Sequence, residues 1–285
     1  MKKLKKKFFE NKKILTVLND IGAAKVIFEF LKKKKISSNF FLTGPSKKLI
    51  KNYSNNQFSL HKNLRDYNLI ITGTSMKSKN EIKFIKKAKK LNITTITFLD
   101  HWTGYKERFF YNNKYYFPDL IIVGDYDAYK IAKKEFKKKT EIVYQKNYYL
   151  SVKKNKLYKS NLSFASSNLD RLKNKKLKDN IIFIKFMKII NKKNNYNIRR
   201  IFLKPHPSEN DKKFNNLIKR LKNEYTYKFK IISDDNTFFH SKYVAGFDSM
   251  ALVKAKHYGC KTINIRSKNY KNMIPKKYID FTINI

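Results

Sequence analysis

Cysteine occurs once in this chain, at Cys260. A single thiol excludes an intramolecular disulfide and suits a reducing compartment. Proline (5) and glycine (7) are scarce, so there is neither a flexible Gly/Ser/Pro linker nor a GxGxxG dinucleotide fingerprint. Acidic residues number 21 against 66 basic ones, a formal charge of +45, yet only seven of those bases are arginine. Arginine is the side chain that grips base edges and phosphates bidentately. Its scarcity argues against specific nucleic-acid recognition and reduces most of the charge to a solvated lysine coat, useful at most for holding the protein near anionic lipid. No run reaches the roughly 20 apolar residues of a membrane-spanning helix. The opening "MKKLKKKFFENKKILTVLND" begins like a secretory signal, but Glu10, Asn11, Lys12 and Lys13 break its apolar stretch. The expectation is a cytoplasmic protein whose contact with a membrane is peripheral.

What is present is a globular composition, 41% hydrophobic and 15% aromatic over 285 residues, sufficient for one large or two medium cores. Short apolar runs alternate with amphipathic, lysine-rich segments. In the first half the runs are "KILTVL", "NFFLTG", "YNLIITG", "TTITFL", "DLIIVG" and "EIVY", with helical spacing in "GAAKVIFEFLKKKK", "KNEIKFIKKAKKL" and "DAYKIAKKEFKKK". The second half restarts the pattern with strands "NLSFAS", "RRIFLK", "KFKIIS", "YVAGF" and "KTINI". Helical patterns lie between them in "DNIIFIKFMKIINKK", "DKKFNNLIKRLKN" and "SMALVKAKHYG". Such alternation predicts an α/β fold of two Rossmann-like domains, residues 1–150 and 151–285, with mostly parallel sheets facing a central cleft. The weakest apolar pattern between the halves is "NKLYKSN", near residue 155. Ligands of such sheets bind outside the carboxyl ends of the strands.

Three stretches carry chemistry at such ends. In "IFLKPHPSEN" a strand runs into Lys204, Pro205, His206, Pro207 and Ser208. Two prolines fix the backbone around one imidazole, so Lys204 and His206 can meet a phosphate. The same segment also reads as a rigid turn with Ser208 as N-cap and Asp211 completing a capping-box-like pair. In "AGFDSMALVKAKHYG" a strand ends at Gly246 and a helix starts near Ser249, whose hydroxyl and first-turn amides suit an anion. Asp248 is there a natural N-cap that would compete for those amides. In "TFLDHWTGYKERFF" the lone Trp102 stands with Asp100, His101, Tyr105, Glu107 and Arg108 at the end of an apolar run.

"KPHPSE" and "GFDSMALVKAKHYGCKTINI" resemble the donor-binding half of GT-B glycosyltransferases, most closely the bacterial sialyl- and polysialyltransferase-like enzymes and their surface-polysaccharide relatives. The likeness spans most of residues 160–265. It implies a nucleotide-sugar donor held by Lys204, His206, Ser208, Gly246 and Ser249, and a glycan or lipid-linked acceptor, with no cofactor or metal. In those families an acidic motif after a first-half strand supplies the general base, usually paired acids followed by glycine. Asp100 stands at that position here, with His101 and Trp102 in place of what usually follows. The expectation is Asp100 as base with His101 assisting. Trp102 and Tyr105 would stack on a sugar face, or else fill the core. Arg108 would grip an anion bidentately, or else pair with Glu107 at the surface. Gly22, in "LNDIGAAKVIFEF", would let a helix start close to the acceptor.

Asp125 and Asp127 form a literal Asp-x-Asp. A metal pair of this kind is outweighed by a helix N-cap and a first-turn acid. "TGTS" reads as a capped loop, and His61, His240 and His257 lack ligand-spaced partners. A nucleotide-sugar epimerase of the same fold, a polyanion-binding protein and a non-catalytic sugar-binding relative are the rival readings.

Overall fold

The run Ile14–Leu18 (β1) is buried along its whole length, as are Leu69–Thr72 (β3) and Leu120–Val123 (β7). Continuous burial of this kind belongs to parallel strands covered on both faces. The computed structural model describes residues 4–52, 63–76, 78–151, 156–169, 177–193, 197–206, 209, 211–267, 270 and 273–285. His61 and Ser208 lie outside them. The chain divides into two compact units, Met1–Ser151 and Val152–Ile285.

In the first unit β1, β3 and β7 combine with Asn39–Leu42 (β2), Thr94–Leu99 (β4) and Glu141–Tyr144 (β8). They form one six-stranded sheet in the order β2-β1-β3-β4-β7-β8, every pairing parallel. A two-stranded antiparallel ribbon, Phe110–Tyr111 (β5) with Lys114–Tyr115 (β6), interrupts the β4-to-β7 crossover. Alternation along β1 sends Leu15 and Val17 to one core, shared with Ile70 and Ala88, and Ile14 and Leu18 to another, shared with Ile27, Ile71 and Phe98. The first core lies under helix Asn80–Lys90 (α2), the second under Ile21–Lys34 (α1). Each fully buried Ile, Leu or Phe contributes roughly 1.5–3 kcal/mol. Polar residues on these strands are paired: Thr72 Oγ1 lies 2.7 Å from Thr97 Oγ1, and the Asp119 carboxylate accepts from the Thr95 amide and hydroxyl. The third helix, Tyr126–Phe136 (α3), follows β7.

The second unit has its own six-stranded parallel sheet. Its strands are Tyr158–Ala165 (β9), Arg200–Lys204 (β10), Lys228–Ile231 (β11), Ser241–Gly246 (β12), Lys261–Arg266 (β13) and Phe281–Asn284 (β14). The order β11-β10-β9-β12-β13-β14 is the 3-2-1-4-5-6 of a dinucleotide-type Rossmann sheet, whose strand order reverses between β9 and β12. Helices Asp179–Lys193 (α4), Asn215–Glu224 (α5), Asp235–Phe239 (α6) and Met250–Tyr258 (α7) complete it. Phe164, Phe183, Phe186, Phe214 and Leu221 are sealed in one core with β10 and β13. Two placements differ from the sequence reading. β9 already begins at Tyr158, inside "NKLYKSN", because backbone pairing with Ser241 and His240 extends it past its apolar part. α5 begins at Asn215, since Asp211–Phe214 winds as a 3-10 turn first.

Candidate active site

The strand order of the first sheet reverses between β1 and β3, so its ligand crevice is expected where those strands end. After β1, Asp20 caps α1 by accepting from the Gly22 amide at 3.3 Å. Asp100 follows β4, and a Cβ at Gly22 would lie 2.8 Å from its Oδ2. Glycine is therefore required at position 22 for this carboxylate to sit against the first turn of α1. His101 Nε2 lies 3.6 Å from the same Oδ2. The two side chains are unequally open: Asp100 is 6% exposed and His101 38%. Asp100 Oδ1 is buried without a hydrogen-bond partner. Of the expected base and its assistant, it is the assistant, His101, that is the more exposed. Solvent reaches the imidazole, and the carboxylate stands behind it, where it can orient the ring and stabilise its charged form.

Glu81, on the first turn of α2, is a residue that the sequence reading passed over. Its Oε1 accepts from the Asn19 amide at 2.9 Å, while Oε2 is buried and unpartnered. Burial, above all, pushes its carboxyl up to about 7; the Asn19 hydrogen bond opposes the rise, and the charges of Asp20 and Asp100 add to it. A signal for it existed. Buried Glu81, Ile85 and Ala88 recur at four- and three-residue spacing, so the acid occupies the inward stripe of an amphipathic helix.

The acceptor-side aromatics are corrected. Tyr105 is wholly buried, its ring stacked on Phe136 at 6.1 Å and its hydroxyl donating to the His101 carbonyl. Trp102 is buried and its indole N–H donates to Asp125 Oδ2 at 2.9 Å. Both rings are buried, and neither offers a face to a sugar. Arg108 is buried too, donating to Thr74 Oγ1 at 3.2 Å, and makes no surface pair with Glu107. It lines a small cleft with Glu81, Gly73, Thr74 and Ser75. Asp125 is the α3 N-cap, accepting from the Asp127 and Ala128 amides at 2.8 and 3.0 Å.

In the second unit Lys204 ends β10 and His206 follows it. Lys204 is ion-paired with Asp235, which also binds Lys254 at 2.9 Å. Burial works against ionisation of Asp235, but Lys254 and then Lys204 outweigh it and hold the carboxyl down at about 2. The His206 amide donates to Glu209 Oε2 at 2.9 Å, and Ser166, at the end of β9, bonds the same oxygen. Gly246 ends β12, where a Cβ would stand 3.2 Å from Ser249 Cβ and 3.3 Å from the Ala165 carbonyl. The N-cap of α7 is Ser249, accepting from the Ala251 amide at 3.3 Å. Asp248 does not cap the helix as expected: with φ at +49° its carboxylate turns away to the Met273 and Ile274 amides. That removes the foreseen competitor from the first turn of α7.

No protein-family model and no curated protein sequence matches the chain. Solved structures do. Staphylococcus aureus MnaA in complex with UDP superposes with a TM-score of 0.63 at 12% identity, over 90% of this chain and 79% of that one. A Methanocaldococcus jannaschii UDP-GlcNAc 2-epimerase, solved with UDP-GlcNAc and UDP, gives 0.64 at 13% identity, over 96% and 88%. Escherichia coli heptosyltransferase WaaC, solved with ADP-2-deoxy-2-fluoro heptose, gives 0.47 at 10% identity, over 96% and 92%. What the chain shares with the first two is the fold, two Rossmann-like units of the GT-B type. None of the three is a sialyltransferase.

Proposed function

We propose that the protein acts on a nucleotide-activated sugar and transfers the sugar to a hydroxyl of a glycan or lipid-linked acceptor, as surface-polysaccharide synthesis requires. The observation that carries this reading is the partly exposed His101 imidazole backed by the buried Asp100 carboxylate at the end of β4. An acceptor O–H gives its proton to the imidazole as its oxygen bonds to the anomeric carbon. The bond from that carbon to the phosphate oxygen breaks, and its electron pair leaves with the nucleotide. On the second unit, Lys204, His206 and the Ser249-capped start of α7 lie at the carboxyl ends of β10 and β12, where a helix N-terminus and a cation offset phosphate charge. The two oxygens of Asp125, in the sole Asp-x-Asp of the sequence, accept from the Trp102 indole and the first amides of α3, which favours the cap reading of that pair over a metal ligand. The sialyl- and polysialyltransferase-like motif resemblance places CMP-linked sugars among the donors to test.

The epimerase reading stands second, because one neighbour with a TM-score of 0.64 is a UDP-GlcNAc 2-epimerase and a base beside a sugar serves carbon deprotonation as well. Product analysis with CMP-, UDP-, GDP- and CDP-linked sugars separates the two. Transfer predicts that donor is consumed and nucleotide released only when an acceptor is present. A new nucleotide sugar formed without acceptor means epimerisation. For transfer, His101→Ala lowers kcat about 10²–10⁴-fold. If His101→Ala turns over donor and acceptor at the wild-type rate, the assignment of the base is wrong.

A further inference from the structure

Glu81 has no task in that scheme, yet it is the most buried acid of the site at 3% exposure. Burying an ionised carboxylate oxygen without a partner costs several kcal/mol, so a group placed as Glu81 Oε2 is kept neutral or finds a donor. Its other oxygen bolts the β1-to-α1 turn. The Asn19 amide donates to it, and the Asn19 side chain is in turn held by Thr43 at 3.0 Å, while Asn80, beside Glu81, reaches Thr43 at 3.1 Å. The same turn carries Asp20 and Gly22, and Gly22 is the surface on which Asp100 rests.

We propose that Glu81 is the positioning residue of the Asp100–His101 pair: in its neutral form it fixes the turn that seats Asp100 and leaves Asp100 as the charged partner of the imidazole. The proposal rests on the reading of that pair as the reacting groups. The charged groups facing Glu81 come from every neighbouring element: Asp20 from the end of β1, Asp100 and with it His101 from the end of β4, and Arg108 from across the small cleft. Ionising Glu81 would put a third carboxylate charge beside Asp20 and Asp100, while Arg108 is engaged with Thr74.

The test needs no turnover, so its failure and that of the transferase reading are distinguishable. Glu81→Gln keeps a carbonyl oxygen for the Asn19 amide and removes the titration. With the imidazole removed by His101→Gln, the carboxyl-carbon resonance of Asp100 is expected to move with an inflection near pH 7, as the neighbouring acid loses its proton, and this inflection is absent when Glu81→Gln is added. Infrared difference spectra of the wild type alone supply a second readout: one neutral carboxyl band present at about pH 6 fades by about pH 8. Melting gives a third. A carboxyl whose folded value is raised stabilises the fold fully below its unfolded value of 4.5, and this stability is lost as pH rises through about 7. The wild type therefore loses more melting temperature between those pH values than Glu81→Gln does. An Asp100 resonance with the same profile in His101→Gln with and without Glu81→Gln, or a wild type without the fading band, overturns the proposal.

Discussion

Trp102 shows how a single residue changes meaning between sequence and structure. Its position beside Asp100 and His101 suggests an aromatic platform for a sugar, but its indole is spent on Asp125, the cap of α3. Sequence spacing places residues near one another and says nothing of which side of the strand end each ring takes. The same holds for Tyr105 and Arg108, both turned inward. Gly22, read as letting a helix start close to the acceptor, lies against the Asp100 carboxylate. The Trp102–Asp125 bond gives a prediction at this scale. Trp102→Phe should cost about 1.5–3 kcal/mol, the worth of a hydrogen bond to a charged group, and Asp125→Ala about 1–2 kcal/mol for the lost cap. Because the two share one carboxylate, the double variant should fall short of the sum. Urea unfolding checks it, and strict additivity would place Trp102 outside the α3 cap.

Among elements, those legible in the sequence carry a clear apolar signal: β1, β3, β4 and β7 appear as apolar runs broken only by threonines, and α1, α2 and α3 as apolar stripes among lysines. Those that escaped have little apolar signal to read. β14 is an edge strand with one buried residue in four, Ile283. α6 spans five residues, and the β5–β6 ribbon pairs only two residues with two. Glu81 escaped for the opposite reason, since an acid in the first turn of a lysine-rich helix reads as a surface charge. α6 nevertheless ties β10 to α7, because Asp235 at its start holds both Lys204 and Lys254. A carboxyl held near 2 in the fold stabilises it above its unfolded value of 3.8, and that contribution disappears as pH falls through about 2. Asp235→Asn should therefore melt below the wild type at neutral pH, with the gap closing as pH falls toward 2. A pH-independent gap would mean that the ion pairs contribute nothing.

For the whole molecule, the charge of +45 sets up a contest between two accounts. A lysine coat binds any polyanion, with an affinity that falls steeply with salt; a built nucleotide site binds one class of ligand. No helix among the described residues is long and apolar enough to cross a membrane. The division into units with separate sheets was legible because the βα pattern restarts near residue 160. Candidate binding residues stand out from the lysines only at strand ends, in "KPHPSE" and "FLDHW".

The most direct measurement is thermal denaturation of the wild type and His206→Ala with CMP-, UDP-, GDP- and CDP-linked sugars at about 0.15 M salt. A ligand at about 100 times its Kd adds about 2.7 kcal/mol to the folded state. The account predicts that at least one nucleotide sugar raises the wild-type Tm and raises that of His206→Ala much less. If none moves the wild-type curve while heparin shifts it strongly, the protein is a polyanion binder and the nucleotide-sugar account is contradicted.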